Sequence, residues 1–268
     1  MKRFHNPWIT LEEWLEWYHN IVKELQFDEL ADLEASMLLD SMLKGKVLEF
    51  THIEQMLSGK ISVVFGAGPS VEVDIKKFVE FPQKDDFVIV AADGATTALL
   101  EHHIIPEIIV TDLDGNVDDL LRAHVQGSIL VVHAHGDNIP QLKNIVPLLH
   151  ERVLPTTQIE PFGCLYNFGG FTDGDRAVFL SSSVNVKAIV LAGMDLEGGI
   201  GSFSKPLSML THKQLIMKRK KLKIAKELLE WLATKIPIPM YDITTYGVGL
   251  RGIMKLESFY ELSLHELR

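Results

Sequence analysis

A single cysteine, Cys164, stands in 268 residues, which excludes an internal disulfide and any cysteine-built zinc cage. Positive charge is also short: 26 Lys and Arg face 36 Asp and Glu, for a formal net charge of −10. A general nucleic-acid binder carries a basic footprint, so that class is set aside, while a local positive pocket for a phosphate-bearing ligand stays open. No apolar run approaches the roughly 20 residues that a membrane span needs. The start, Met1-Lys2-Arg3-Phe4-His5-Asn6-Pro7-Trp8, has no apolar signal core. Long repeats and low-complexity tracts are lacking too. What is present is 47% hydrophobic and 23% charged, an ordinary globular composition. The expectation is a cytoplasmic protein that binds neither nucleic acid nor membrane.

Three stretches differ in pattern: a helical segment over 1–60, an α/β core over 61–205, and a C-terminal helix with a short strand and helix over 206–268. In the first, Thr10 and Glu13 form a capping-box signature, and Trp14, Tyr18, Ile21 and Leu25 share one helical face. A second helix is expected near 28–43. Trp8, Trp14 and Trp17 read as part of a helix docked on the main domain rather than as a ligand platform. From 61 onward, short apolar runs at 61–65, 87–91, 108–110, 128–132 and 188–191 alternate with helical stretches near 71–79, 96–103, 117–125, 139–149 and 176–183. Runs apolar on both faces and separated by helices are buried parallel strands. The fold class is therefore α/β, a doubly wound, mostly parallel, Rossmann-like sheet with helical N- and C-terminal additions. A long helix is expected over 213–235, and its basic run Lys218-Arg219-Lys220-Lys221 reads as a solvated face, with neutralisation of a bound polyphosphate as the alternative. Pro237 and Pro239 end it, and 240–244 supplies a last strand.

Nearly every expected strand runs at once into glycine, aspartate or histidine. The first four lead into Gly66-Ala67-Gly68-Pro69-Ser70, Ala92-Asp93-Gly94, Thr111-Asp112-Leu113-Asp114-Gly115 and His133-Ala134-His135-Gly136-Asp137-Asn138. Farther on come Gly170-Phe171-Thr172-Asp173-Gly174-Asp175-Arg176 and Ala192-Gly193-Met194-Asp195. In an open parallel sheet these ends share one edge, where ligands bind. Asp93, Asp112, Asp114, Asp137, Asp173, Asp175 and Asp195 therefore converge on one rim. Crowded carboxylates repel unless a cation or protons intervene, and oxygen-rich sites select hard ions such as Mg²⁺ together with substrate phosphates. Helix capping competes for some of the seven, Asp173 and Asp195 foremost.

The Gly66-Ala67-Gly68 loop offers backbone N–H groups at a helix start, a phosphate site by geometry. It is not a dinucleotide fingerprint, because Val71 stands where the third glycine belongs, and Gly59-Lys60 lacks the leading glycine of a Walker A element. An EF-hand at Asp112 fails on spacing, with Ala123 where the closing glutamate belongs. His133 and His135 share a strand face and suggest a zinc site, but Asn138 stands where a binuclear hydrolase usually supplies another histidine.

As an ordered set, the segments 66–70, 91–96, 110–115, 133–138, 167–177 and 192–195 resemble the archaeal-type 6-hydroxymethyl-7,8-dihydropterin pyrophosphokinase family. The likeness covers about 60–235, and the same core is distantly similar to the catalytic domain of thiamin pyrophosphokinase. The sizeable all-β C-terminal domain of that enzyme has no counterpart here, which counts against thiamin as substrate. The resemblance implies that ATP donates its β,γ-diphosphate to the primary alcohol of the pterin, releasing AMP, in folate or tetrahydromethanopterin biosynthesis in an archaeal host.

From strand-end placement and this likeness, Asp112 and Asp114 are expected to lead Mg²⁺ binding, with Asp173 and Asp175 as the second pair. Gly66, Gly68 and Ser70 are expected at the nucleotide, Arg176 and Lys205 at the phosphate chain, and Asp93 and Asn167 at the pterin edge. His133, His135 or Asp137 would take the proton of the attacking hydroxymethyl group. A nucleotide-sugar transferase on the same scaffold and a nucleotide-binding protein without turnover are the competing readings; a related group in the wider superfamily is associated with flagellin glycosylation. The apolar terminal helices suit a homodimer or burial within one subunit equally well.

Overall fold

In the computed structural model, residues 3–197, 199, 201–203 and 211–265 are described. Lys205 lies outside them. Eight strands form one fully parallel sheet in the order β5-β4-β3-β2-β1-β6-β7-β8. They are β1 (Ile61–Phe65), β2 (Phe87–Ala92), β3 (Ile108–Thr111), β4 (Ile129–Ala134), β5 (Val153–Thr157), β6 (Ala188–Ala192), β7 (Met240–Asp242) and β8 (Met254–Lys255). β1 lies at the centre, where Val63 is paired with Ile89 on one side and Val190 on the other.

Strand alternation sends successive side chains into two cores. On one face Val64, Val90, Val110 and Val131 pack with α1 (Leu11–Leu25), α3 (Phe50–Leu57), α8 (Asp173–Ser182) and α9 (His212–Lys235). On the other, Val63, Ile89, Ile109 and Val132 pack with α2 (Glu29–Leu43), α4 (Val71–Glu80), α5 (Ala95–Glu101), α6 (Val117–Val125), α7 (Ile139–Ile145) and α10 (Phe259–His265). Thr10 and Glu13 close the capping box at the start of α1, whose Trp14 is fully buried and donates through Nε1 to the Gln158 carbonyl at 2.8 Å. Trp8 and Trp17 likewise pack as structural residues: the Trp8 indole donates to the Ser182 carbonyl, and Trp17 meets Trp231 of α9.

β5, β8 and α3 are elements that the sequence pattern does not single out. Pro155 sits inside β5, and proline is compatible with an edge strand because an edge leaves one side of the ladder unpaired. Strands β1 to β5 step outward in one direction; the chain then returns by α8 and places β6 against the free side of β1. The winding reverses between β1 and β6, which opens a crevice at their carboxyl ends. No described helix is long and apolar enough to cross a membrane.

Candidate active site

The floor of the site is built from three carboxylates. Asp93 follows β2, Asp112 follows β3 and Asp173 opens α8; one oxygen of each lies within 4.8 Å of the others. The turn after β3 makes this possible. Leu113 takes a left-handed φ of 65°, a conformation that costs a non-glycine residue about 1 kcal/mol. It is held by burial of its side chain and by a 2.8 Å bond from its N–H to Thr111 Oγ1. The same Thr111 hydroxyl donates to Asp93 Oδ1 at 3.0 Å. At Gly115 an added Cβ would stand 2.6 Å from that carboxylate oxygen, so only glycine leaves room for Asp93. His135 Nδ1 accepts from the Asp137 N–H, so Nε2 carries the hydrogen and donates to Asp112 Oδ2 at 3.1 Å. The Arg176 guanidinium donates to Asp173 Oδ1 at 3.2 Å.

Crowding shows in the electrostatics. Burial, and then the charges of Asp112 and Asp114, raise Asp93 well above the ordinary carboxylate range. Burial and Asp112 do the same to Asp173, against the pull of Arg176. Burial works to raise Asp112 as well, but the His135 hydrogen bond, with the Arg176 guanidinium, holds it below that range. Three oxygen donors crowded in this way fit a hard divalent cation, which would offset the mutual repulsion of the carboxylates.

Above the floor is a cavity of about 1000 Å³. Its walls include the Gly66–Gly68 loop after β1, the Gly193–Asp195 loop after β6, Phe27 and Asp32 at the start of α2, and Lys218 and Lys221 of α9. The two loops at the β1/β6 crevice are clamped together. Gly68 N–H donates to the Gly193 carbonyl at 2.9 Å, and a Cβ on Gly68 would lie 2.6 Å from that oxygen. Asp195 accepts from the Ser70 N–H at 2.9 Å and the Ser70 hydroxyl at 2.6 Å. Buried Asp74 of α4 accepts from Gly193 N–H at 2.8 Å and from the Thr245 hydroxyl at 2.5 Å.

Gly66, Gly68, Asp93, Asp112, Asp114, His135, Asp137, Asp173 and Arg176 all reach this cavity. Five of the expected residues stand elsewhere than expected. Asp175 is fully buried and faces away from the other carboxylates: it accepts from Phe171 N–H at 2.6 Å, Thr172 N–H at 2.7 Å and the Thr172 hydroxyl, as the acidic half of a capping box. Asn167 is buried behind the site, donating to the Ile159 carbonyl and accepting from Gly169 N–H at 2.8 Å each. Ser70 is spent on Asp195 and on the Tyr246 N–H, outside the cavity lining. His133 is buried beneath the floor against Thr156 Oγ1, 3.1 Å away, where burial and then the Arg176 charge depress its basicity. Asp93, expected at the pterin edge, stands in the acidic group instead, with Asp114 exposed beside it.

Sequence reasoning missed Asp32, Gln158, Phe27 and Phe171, which also line the cavity. Asp32 and Phe27 lie in or before α2, away from the strand ends. Gln158 follows β5, a strand the pattern does not show, and Phe171 sits in the 170–176 segment, where the polar residues carry the signal. The alternative role of the basic run on α9 has support in position, since Lys218 and Lys221 face the cavity. The Lys221 ammonium lies 5.3 Å from the Phe27 ring centre and 5.8 Å from that of Phe171.

The family described as 6-hydroxymethylpterin diphosphokinase MptE-like matches residues 37–199. The chain belongs to this family of diphosphokinases. Proteins named 6-hydroxymethyl-7,8-dihydropterin pyrophosphokinase are similar to it along most of their length. That of Methanothermobacter thermautotrophicus is 44% identical over 84% of this chain and 95% of its own. That of Pyrococcus furiosus is 45% identical over 82% and 93%, and that of Methanocaldococcus jannaschii 38% identical over 86% and 98%. Among solved structures, the MAf glycosyltransferase of Magnetospirillum magneticum shares the fold, with a TM-score of 0.53 and 16% identity over 88% of this chain and 40% of that longer one.

Proposed function

We propose that this diphosphokinase transfers the terminal diphosphate of ATP to the primary alcohol of 6-hydroxymethyl-7,8-dihydropterin, giving AMP and the pterin diphosphate, with Mg²⁺ as its metal. The observation that carries the reading is the meeting of Asp93, Asp112 and Asp173 on the floor of one cavity that also holds the Gly66–Gly68 loop. The pterin as acceptor is supported by the names of relatives 38–45% identical to the chain.

Diphosphoryl transfer asks chiefly for alignment and charge neutralisation. Mg²⁺, when bound by Asp93, Asp112 and Asp173, supplies neutralisation of phosphate oxygens. The protein's own part is positional. The Gly66–Gly68 loop, pinned against the loop after β6, forms the wall beside which the nucleotide would lie, and Arg176 with Lys218 and Lys221 offers cations to the transferred group. The pterin oxygen attacks the β-phosphorus, the bond from that phosphorus to the α,β-bridging oxygen breaks, and AMP leaves. Both ring nitrogens of His135 are already engaged, and His133 lies below the floor, so Asp137, exposed on the cavity wall, is the group placed to accept the alcohol proton.

The test is AMP formation from ATP and Mg²⁺ with and without the pterin, beside Asp112→Ala. Pterin-dependent AMP is expected in the parent, with a loss of at least about 100-fold in the variant. Folded protein that binds ATP yet gives no AMP with the pterin would sink the assigned acceptor.

A further inference from the structure

Behind the acidic floor runs a chain of buried hydrogen bonds that begins in the N-terminal helices. Asp32, in the first turn of α2, accepts on both carboxylate oxygens. Its Oδ1 takes the N–H of Gly136 at 2.8 Å, in the turn that follows His135. Its Oδ2 takes the Tyr18 hydroxyl at 2.8 Å and the Gln158 Nε2 amide at 2.7 Å. An ionised carboxylate only accepts, so Asp32 decides which way the Gln158 amide faces. Nitrogen points to Asp32 and oxygen to Arg176, whose second terminal nitrogen donates to Gln158 Oε1 at 3.2 Å. The other terminal nitrogen of Arg176 holds Asp173. Asp32, Gln158 and Arg176 are 4%, 4% and 8% exposed, so water competes little for these bonds.

We propose that Asp32 and Gln158 are positioning residues of the diphosphokinase: acting through Arg176, they fix where the guanidinium and the Asp173 carboxylate stand in the cavity. The reaction named here rests on the function proposed above; the hydrogen-bond geometry does not. A reversed Gln158 amide sets donor against donor at Arg176 and releases its grip on Asp173. The same Asp32 carboxylate anchors the turn after His135, so α2 ties together the two sides of the acidic floor.

A double-mutant cycle on the full chain tests this. Asp32→Asn, Gln158→Leu and Arg176→Met are compared singly, and the first two again in combination with Arg176→Met. Thermal unfolding reports whether each variant folds, and Gln158→Met replaces Gln158→Leu where the latter gives no cooperative transition. One readout is kcat and KM for pterin-dependent AMP release; the other is Mn²⁺ affinity by electron paramagnetic resonance. Asp32→Asn and Gln158→Leu are each expected to lower kcat by about tenfold with little change in the pterin KM, and to weaken Mn²⁺ binding severalfold. Both effects vanish in the Arg176→Met background, because residues that act through one partner do not add. Where kcat of Arg176→Met falls below detection, the Mn²⁺ cycle decides. Losses that add fully to that of Arg176→Met, or single variants equal to the parent in both readouts, overturn the proposal. A parent that binds Mn²⁺ and ATP but makes no AMP overturns the assigned reaction alone, and the coupling is then required in Mn²⁺ affinity.

Discussion

Asp173 and Asp175 lie two residues apart at the start of α8, and their substitutions are expected to fail differently. Asp173→Ala removes one of three clustered carboxylates, so divalent-metal affinity and AMP release fall together while thermal stability holds or rises, since a crowded buried charge is relieved. Asp175→Ala instead strands the N–H groups of Phe171 and Thr172, which costs about 1–3 kcal/mol. It leaves metal affinity within twofold in whatever protein remains folded. Calorimetric titration with Mn²⁺ beside thermal melts separates the two; equal losses of metal affinity would refute the assignment. The distinction was partly readable beforehand, because Thr172-Asp173-Gly174-Asp175 has the spacing of a capping box. That Asp93, rather than Asp175, would join Asp112 and Asp173 was not. Its place beside Asp112 depends on the left-handed turn at Leu113 and the close approach of Gly115, and neither follows from strand-end position.

At the scale of elements, the loops after β1 and β6 are pinned through α4 by Asp74. Burial pushes its carboxyl up to about 6 from an ordinary value near 3.8, against the hydrogen bonds of Thr245 and Gly193 that pull it down. That difference is worth about 3 kcal/mol. The folded state holds this proton more tightly than the unfolded chain, so the stability linked to Asp74 is full below pH 4 and is lost as pH rises through 6. Denaturant unfolding of the parent and Asp74→Asn at pH 4, 5, 6 and 7 reads this directly. The parent's advantage over the variant is expected to shrink by up to about 3 kcal/mol across that range; a constant gap would contradict it. Strands with apolar residues on both faces announced themselves in sequence, and α9 was readable to within one residue. β5 was hidden by Pro155, and two-residue β8 is too short to show any period.

On the scale of the whole molecule, the N-terminal helices feed both cores and the cavity wall. Helix α1 alone buries Trp14, Tyr18, Ile21, Val22 and Leu25, worth roughly 10 kcal/mol at about 2 kcal/mol each. That equals a typical net stability of about 5–15 kcal/mol. A chain beginning at residue 26 is therefore expected to lose its cooperative thermal transition, as circular dichroism would show; retention of a sharp transition near the parental midpoint would refute it. The hydrophobic face of α1 was legible, but its partner surface, formed with α8 and α9 far along the chain, was not.

The reversal of winding at β1 also sets an order of assembly. Ile61 is paired with Ala188, so the central strand lacks its second neighbour until most of the chain has left the ribosome. Asp93 and Asp112 emerge early, whereas Asp173 arrives only with the returning helix. Contacts so distant in sequence make folding slow. In that interval one edge of β1 is open to pairing with another nascent chain, and the return of the chain that covers it also completes the acidic floor.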